Sequence, residues 1–230
     1  MAKVCVILSG AGHLDGAELR ESIFTLLILD QRNHTVDIFA PNENQAEVIN
    51  HKNGEATNEE RNILTEAARI TRGKVLDLDD LISENYEALV IPGGFGVAKN
   101  LSNFASEGAK AKVNKQVKKV ITEFHSTQKP ICALCIAPAL LALVLNEKEI
   151  SITVGNDEDT IAILEELGAK HVKKSITDFH YDEENKILTT PAYMYGTGKL
   201  SNVFKGINKT ISALCDLLDG KEIKIEKGKN

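Results

Sequence analysis

Cys135 is the residue of this chain best placed for covalent chemistry. It stands between an uncharged, β-prone run, Ile131 to Leu134, and an Ala- and Leu-rich stretch, Ala137 to Leu145, with Pro138 in the first helical turn. Strand, turn and helix in that order put a thiol on an elbow at the end of a sheet. There it faces the unpaired N–H groups of the following helix, which favour thiolate, the nucleophilic form. The competing reading is a small core residue, since free cysteine is among the most buried residue types. Cys132 completes a Cys-x-x-Cys pair, but it falls inside the strand, where extended chain separates the two residues by roughly 10 Å. No second Cys pair or His pair completes a metal site.

Two other segments are predicted to end beside this elbow. Val4 to Leu8 is a buried strand, followed by a loop with three glycines, Ser9 to Gly16. A helix then opens at Ala17, with Leu19, Ile23, Leu26 and Leu27 as its apolar face and with Glu18 and Glu21 in its first turn, where the dipole favours carboxylates. Gly10-x-Gly12 lacks the third glycine of a dinucleotide loop, so no nucleotide site is completed. Ala88 to Ile91 is another buried strand, and it runs into Pro92-Gly93-Gly94-Phe95-Gly96.

The remaining pattern supplies a scaffold. Thr35 to Ala40 and Ser151 to Val154 are strands, and Lys170 to Lys174 is a third. Thr177 to Tyr181 and Lys186 to Thr190 form a hairpin about Asp182 to Asn185. Leu78 to Leu81 is a short helical piece, and Leu101 to Glu107 is irregular. Val113, Val117, Val120, Ile121 and Phe124 mark an amphipathic helix; Glu158 to Leu167 and Leu200 to Leu218 are two more. Strands alternating with helices predict a mainly parallel sheet covered on both faces, with ligands beyond the carboxyl ends of its strands. The loop after Leu8, the glycines after Ile91 and Cys135 all lie at such ends. Asn42 to Arg72 is long for a connection and holds a polar turn, Ile49 to Glu55, and a helix, Asn58 to Arg69. It is either a lid over the site or a decorated surface loop.

The chain has 230 residues, room for one α/β domain over residues 1–220 and a charged tail over 221–230. A net charge of −6 argues against nucleic acid as a partner. No apolar run spans a membrane, and the N-terminal one is too short for a signal peptide. Four cysteines in a chain this long are not a disulfide framework, which points to a reducing, cytoplasmic setting.

At Cys135-Ile136-Ala137-Pro138-Ala139, Ile91 to Gly96, Ile49-Asn50-His51, Ala67 to Gly73, Ala98 to Ala105 and Thr189 to Met194, the sequence resembles the DJ-1/PfpI superfamily of class I glutamine-amidotransferase-like proteins. Within it the motifs are similar to the ElbB and ES1 branch, over nearly the whole chain. The resemblance implies a three-layer, flavodoxin-like α/β sandwich with a mainly parallel sheet. It implies a nucleophile at Cys135, a protonated carboxyl from Glu18 holding it, and an oxyanion pocket from the backbone N–H groups of Gly94 and Ile136. It also implies glutathione-independent conversion of small α-oxoaldehydes to 2-hydroxy acids, no cofactor, and a homodimer. One departure matters: many members place His directly after the nucleophile, and here that residue is Ile136. A general base must come from elsewhere, with His51 the first candidate and His13 the second. The alternative is a redox-sensing or ligand-binding protein, or an accessory factor in isoprenoid metabolism, built on the same thiol.

Overall fold

The computed structural model describes residues 1–223; the remainder of the charged tail lies outside the described residues. In chain order the elements are β1 (Lys3–Ile7), α1 (Leu19–Gln31), β2 (Thr35–Ala40), β3 (Ile49–Asn50), β4 (Glu55–Ala56), α2 (Ile63–Thr71), β5 (Leu76–Asp77) and β6 (Ala88–Ile91). Next come α3 (Phe95–Lys99), α4 (Phe104–Glu107), α5 (Lys115–Ser126), β7 (Ile131–Leu134) and α6 (Pro138–Val144). The chain closes with β8 (Ser151–Ile152), α7 (Glu158–Glu166), β9 (Lys170–His171), β10 (His180–Asp182), β11 (Ile187–Thr190) and α8 (Leu200–Leu218).

The central sheet runs in the order β10-β11-β7-β6-β1-β2-β5. Every pairing is parallel except β10 with β11, the expected hairpin. Alternation along the strands divides the core in two. Cys5, Ile7, Leu89, Ile91, Ile131 and Ala133 face the layer of α5 and α6, and Val4, Val6, Val90, Cys132 and Leu134 face the layer of α1 and α8. This is the flavodoxin-like, class I amidotransferase-type sandwich. The order β7-β6-β1 sets three loops side by side at the carboxyl ends, with the loop after β11 next to them.

The 42–72 segment departs from the expected pattern. Its helix begins at Ile63 rather than Asn58, because the preceding residues are used in an extended pairing. Asn44 bridges Asn62, Arg61 O accepts from Gln45 N, and Glu43 O accepts from Ile63 N. Backbone committed to that pairing cannot start a helix, and Asn62 caps α2 instead, its side chain accepting from Thr65 N at 3.0 Å. The β3–β4 hairpin docks onto the loop after β1 through Ile49 N, which donates to Asp15 Oδ2 at 2.7 Å, and the chain before it docks onto the end of α3 through Ala46 N, which donates to Asn100 Oδ1 at 2.9 Å.

Candidate active site

Cys135 occupies the junction of β7 and α6 with φ of +58°. That is the left-handed region, costing a non-glycine residue about 1–3 kcal/mol, and it is held by the structure on either side. Cys135 N donates to Thr190 O at 3.0 Å, and Ala137 N donates back to Leu134 O at 2.9 Å. The strand end is thereby pinned and the side chain turned out of the sheet plane.

The expected carboxyl partner sits one helical turn further on. The carboxyl group that hydrogen-bonds the Cys135 thiol belongs to Glu21, not Glu18. Glu21 is fully buried. Its Oε2 accepts from Gly93 N at 2.8 Å and its Oε1 from Tyr193 N at 3.2 Å, so one side chain ties α1 to the loops after β6, β7 and β11. Glu18 takes the cap: its Oε2 accepts from Glu21 N at 2.7 Å. The first-turn pattern could not separate the two, since Glu18 and Glu21 lie three residues apart and both suit a helix start.

The glycines after β6 are required by close approach. A Cβ on Gly93 would lie 2.4 Å from Cys135 Cβ and 2.7 Å from Glu21 Oε2. Gly94 has φ of +102°, and a Cβ there would lie 2.4 Å from Glu18 N. In return, the N–H groups of Gly94 and Ile136 both reach the sulfur. The two residues assigned to an oxyanion pocket therefore do meet at Cys135.

The electrostatics oppose the simple picture of a thiolate poised by a helix. Burial, and then the charge of Glu21, push the Cys135 pKa well up, while the two backbone donors pull it down. Helix α6, with seven residues, supplies little dipole. Burial also raises Glu21, to about 8, with Glu18 adding to the shift and the Tyr193 and Gly93 donors lowering it. Two such groups in contact cannot both ionise cheaply, so both stay protonated below about pH 8 and a single proton is shared by the pair above it.

Cys135 opens into a cavity of about 290 Å³. His13, Glu18 and Phe95 line one side; Asp157, Thr160, Tyr193 and Met194 line the other. No residue of 42–72 is among those lining it. His51 lies one ring behind His13, with ring centroids 5.1 Å apart. Its two nitrogens are engaged: Nδ1–H donates to Ile49 O at 3.0 Å, and Nε2 accepts from Leu14 N at 3.2 Å. His13, the second candidate, is the histidine on the cavity. Tyr193 and Asp157 were missed as site residues. The signal for Tyr193 was the place of its loop, after the strand beside β7. Asp157 came with a helix cap, which says nothing of what the cap faces. Among the described residues no cluster of three or more His, Cys, Asp or Glu is arranged to hold a metal ion. All four cysteines are free.

A strained cysteine elbow at the carboxyl edge of a flavodoxin-like sheet, backed by a buried glutamate, defines an amidotransferase-like protein of the cysteine-elbow class. Residues 2–150 match the DJ-1/PfpI family, and the chain belongs to that family. It is 42% identical over 226 residues to the ES1 protein homolog, mitochondrial, of Rattus norvegicus, covering 94% of this chain and 84% of that protein. It is also 42% identical, over 94% of this chain and 83% of the relative, to the human glutamine amidotransferase-like class 1 domain-containing protein 3, mitochondrial. Among solved structures, an isoprenoid biosynthesis protein with amidotransferase-like domain from Ehrlichia chaffeensis superposes with a TM-score of 0.90 at 38% identity, over 95% of this chain and 100% of that one. Drosophila melanogaster DJ-1beta, at 16% identity and a TM-score of 0.57 over 96% and 91%, shares the fold. Among the described residues no helix is long and apolar enough to cross a membrane.

Proposed function

We propose that the protein is a glyoxalase-type enzyme that converts small α-oxoaldehydes to 2-hydroxy acids on Cys135 without glutathione. The observation that carries this reading is the Cys135–Glu21 pair at the strained elbow, with the N–H groups of Gly94 and Ile136 on the sulfur and an open cavity before it. In the form with Glu21 ionised, whose share grows as pH approaches 8, Sγ adds to the aldehyde carbon as its proton passes to the Glu21 carboxylate. The resulting alkoxide forms beside the Gly94 and Ile136 donors and is protonated to a hemithioacetal. A proton then leaves the former aldehyde carbon and is returned to the neighbouring one through an enediol. His13, on the cavity wall, is the carrier. The first carbon is oxidised as the second is reduced, so no outside oxidant enters. Water splits the thioester, releasing the 2-hydroxy acid and restoring the thiol.

The test is lactate formed from methylglyoxal by purified protein without glutathione. Wild type is expected to turn over, with Cys135→Ala at background and Glu21→Gln and His13→Gln strongly impaired. Wild-type turnover no higher than that of Cys135→Ala would sink the reading. A second reading, a thiol that holds a carbonyl ligand without converting it, is favoured by Ile136 after the nucleophile and by the burial that raises the thiol pKa. Its mark is a methylglyoxal mass on Cys135 with no lactate.

A further inference from the structure

The Cys135 cavity has a one-sided charge. Glu18 and Asp157 both line it, and among the described residues no lysine or arginine does. Each acidic side chain is fixed as a helix cap: Glu18 on α1, and Asp157 on α7, where its Oδ1 accepts from Thr160 N at 3.0 Å. A helix N-terminus carries roughly half a positive charge, so each cap leaves a net negative balance at the wall. The nearby cations offset it only in part. Arg20 is exposed, donates to the Tyr193 hydroxyl at 2.7 Å and is within electrostatic reach of Glu18, and Lys99 is engaged by Glu47 and the Leu14 carbonyl. Behind the thiol the third carboxyl group, Glu21, is kept protonated at neutral pH by burial and adds no charge.

We infer that Glu18 and Asp157 make this cavity selective by charge, admitting uncharged and cationic small molecules to Cys135 and turning away carboxylate and phosphate anions. For the proposed reaction, which this consequence rests on, an uncharged oxoaldehyde enters freely and its 2-hydroxy acid anion is expelled. A 2-oxo acid such as glyoxylate, differing from the substrate by one carboxylate, is refused. The charge preference of the thiol itself holds whether or not the protein turns anything over.

The test uses the full chain and two methanethiosulfonate reagents of similar size, the cationic trimethylammonioethyl and the anionic sulfonatoethyl forms. Modification of Cys135 is followed by peptide mass, with Cys135→Ala as the blank and urea-unfolded protein as the reference for intrinsic reactivity. The cation is expected to react about tenfold faster or more at low salt, after that normalisation. The ratio should shrink in 1 M salt, where the screening length falls to about 3 Å. Asp157→Asn keeps a good helix cap and Glu18→Gln removes the other charge, and each should lower the ratio severalfold. A ratio of one or less, or one that neither variant changes, would overturn the inference. Lactate production is not read in this experiment, so its failure and the failure of the enzymatic reading are separate results.

Discussion

Helix α5 buries Val117, Val120, Ile121 and Phe124 against the sheet, at the i, i+3, i+4, i+7 spacing its sequence shows. Helix α1, on the opposite face, reverses that rule. Of its expected apolar face, Leu19, Ile23 and Leu27 are 44%, 50% and 43% exposed and only Leu26 is half-buried, while Glu21, Ser22 and Thr25 are buried in its first half and Ile28 and Leu29 at its end. The two helices differ in what lies beneath them. The buried residues of α5 cover apolar sheet, helix α6 and the apolar residues of the turns around Leu78 and Leu81. Under the start of α1 there are the backbone N–H groups of Gly93 and Tyr193 and the Cys135 thiol, which need an acceptor. A buried donor left unmet costs about 1–3 kcal/mol, comparable to burying one leucine, so a polar face is the better fit there. Where a helix only packs, its periodicity names the buried face; where it serves a site, the site does.

The strongest way to break this contrast is truncation on both helices. Phe124→Ala should cost about 3–5 kcal/mol in urea unfolding, as a fully buried aromatic does. Ile23→Ala on α1 should stay within about 0.5 kcal/mol. Comparable losses would mean that the α1 stripe is covered in solution.

Glu21 sharpens the same contrast through pH. Its folded pKa, about 8, lies above the ordinary carboxyl value of 4.5. The folded chain therefore binds that proton more tightly than the unfolded one. The stabilisation is complete below pH 4.5 and is lost as pH rises through 8. Relative to Glu21→Gln, the wild type should be more stable at pH 5 than at pH 8.5. Paired denaturation curves at the two values measure the difference, and an equal gap at both would refute a buried titrating carboxyl.

The thiol should report the same proton. Ionisation of Glu21 creates an acceptor for the Cys135 proton, so alkylation of Cys135 should step upward as pH passes about 8. In Glu21→Gln the step should vanish. The smallest effect concerns His51, whose two nitrogens are held by Ile49 and Leu14 away from the cavity. His51→Gln should change lactate formation less than about threefold, against a far larger loss in His13→Gln. The reverse order would restore His51 as the base.

The sheet strands were legible because parallel strands buried on both faces leave uninterrupted apolar runs. Ala88 to Ile91 and Ile131 to Leu134 match β6 and β7 in full. Their order also put Cys135, the glycines after Ile91 and the loop after β1 at one edge. Helix ends were less legible. The start of α2 is set by a bridge between Asn44 and Asn62, and no local propensity reports a partner eighteen residues away.

By itself, the sequence determined the alternation of strands and helices, the elbow at Cys135 and the glycines that must lie against it, because these follow from local pattern and steric need. Only the tertiary structure decided that Glu21 rather than Glu18 touches the thiol, that His13 rather than His51 faces the cavity, and that Asp157 and Tyr193 complete its wall. Each of those choices turns on which of two nearby side chains a distant backbone N–H or ring meets. That is a matter of distance across the fold, which residue type and spacing do not encode.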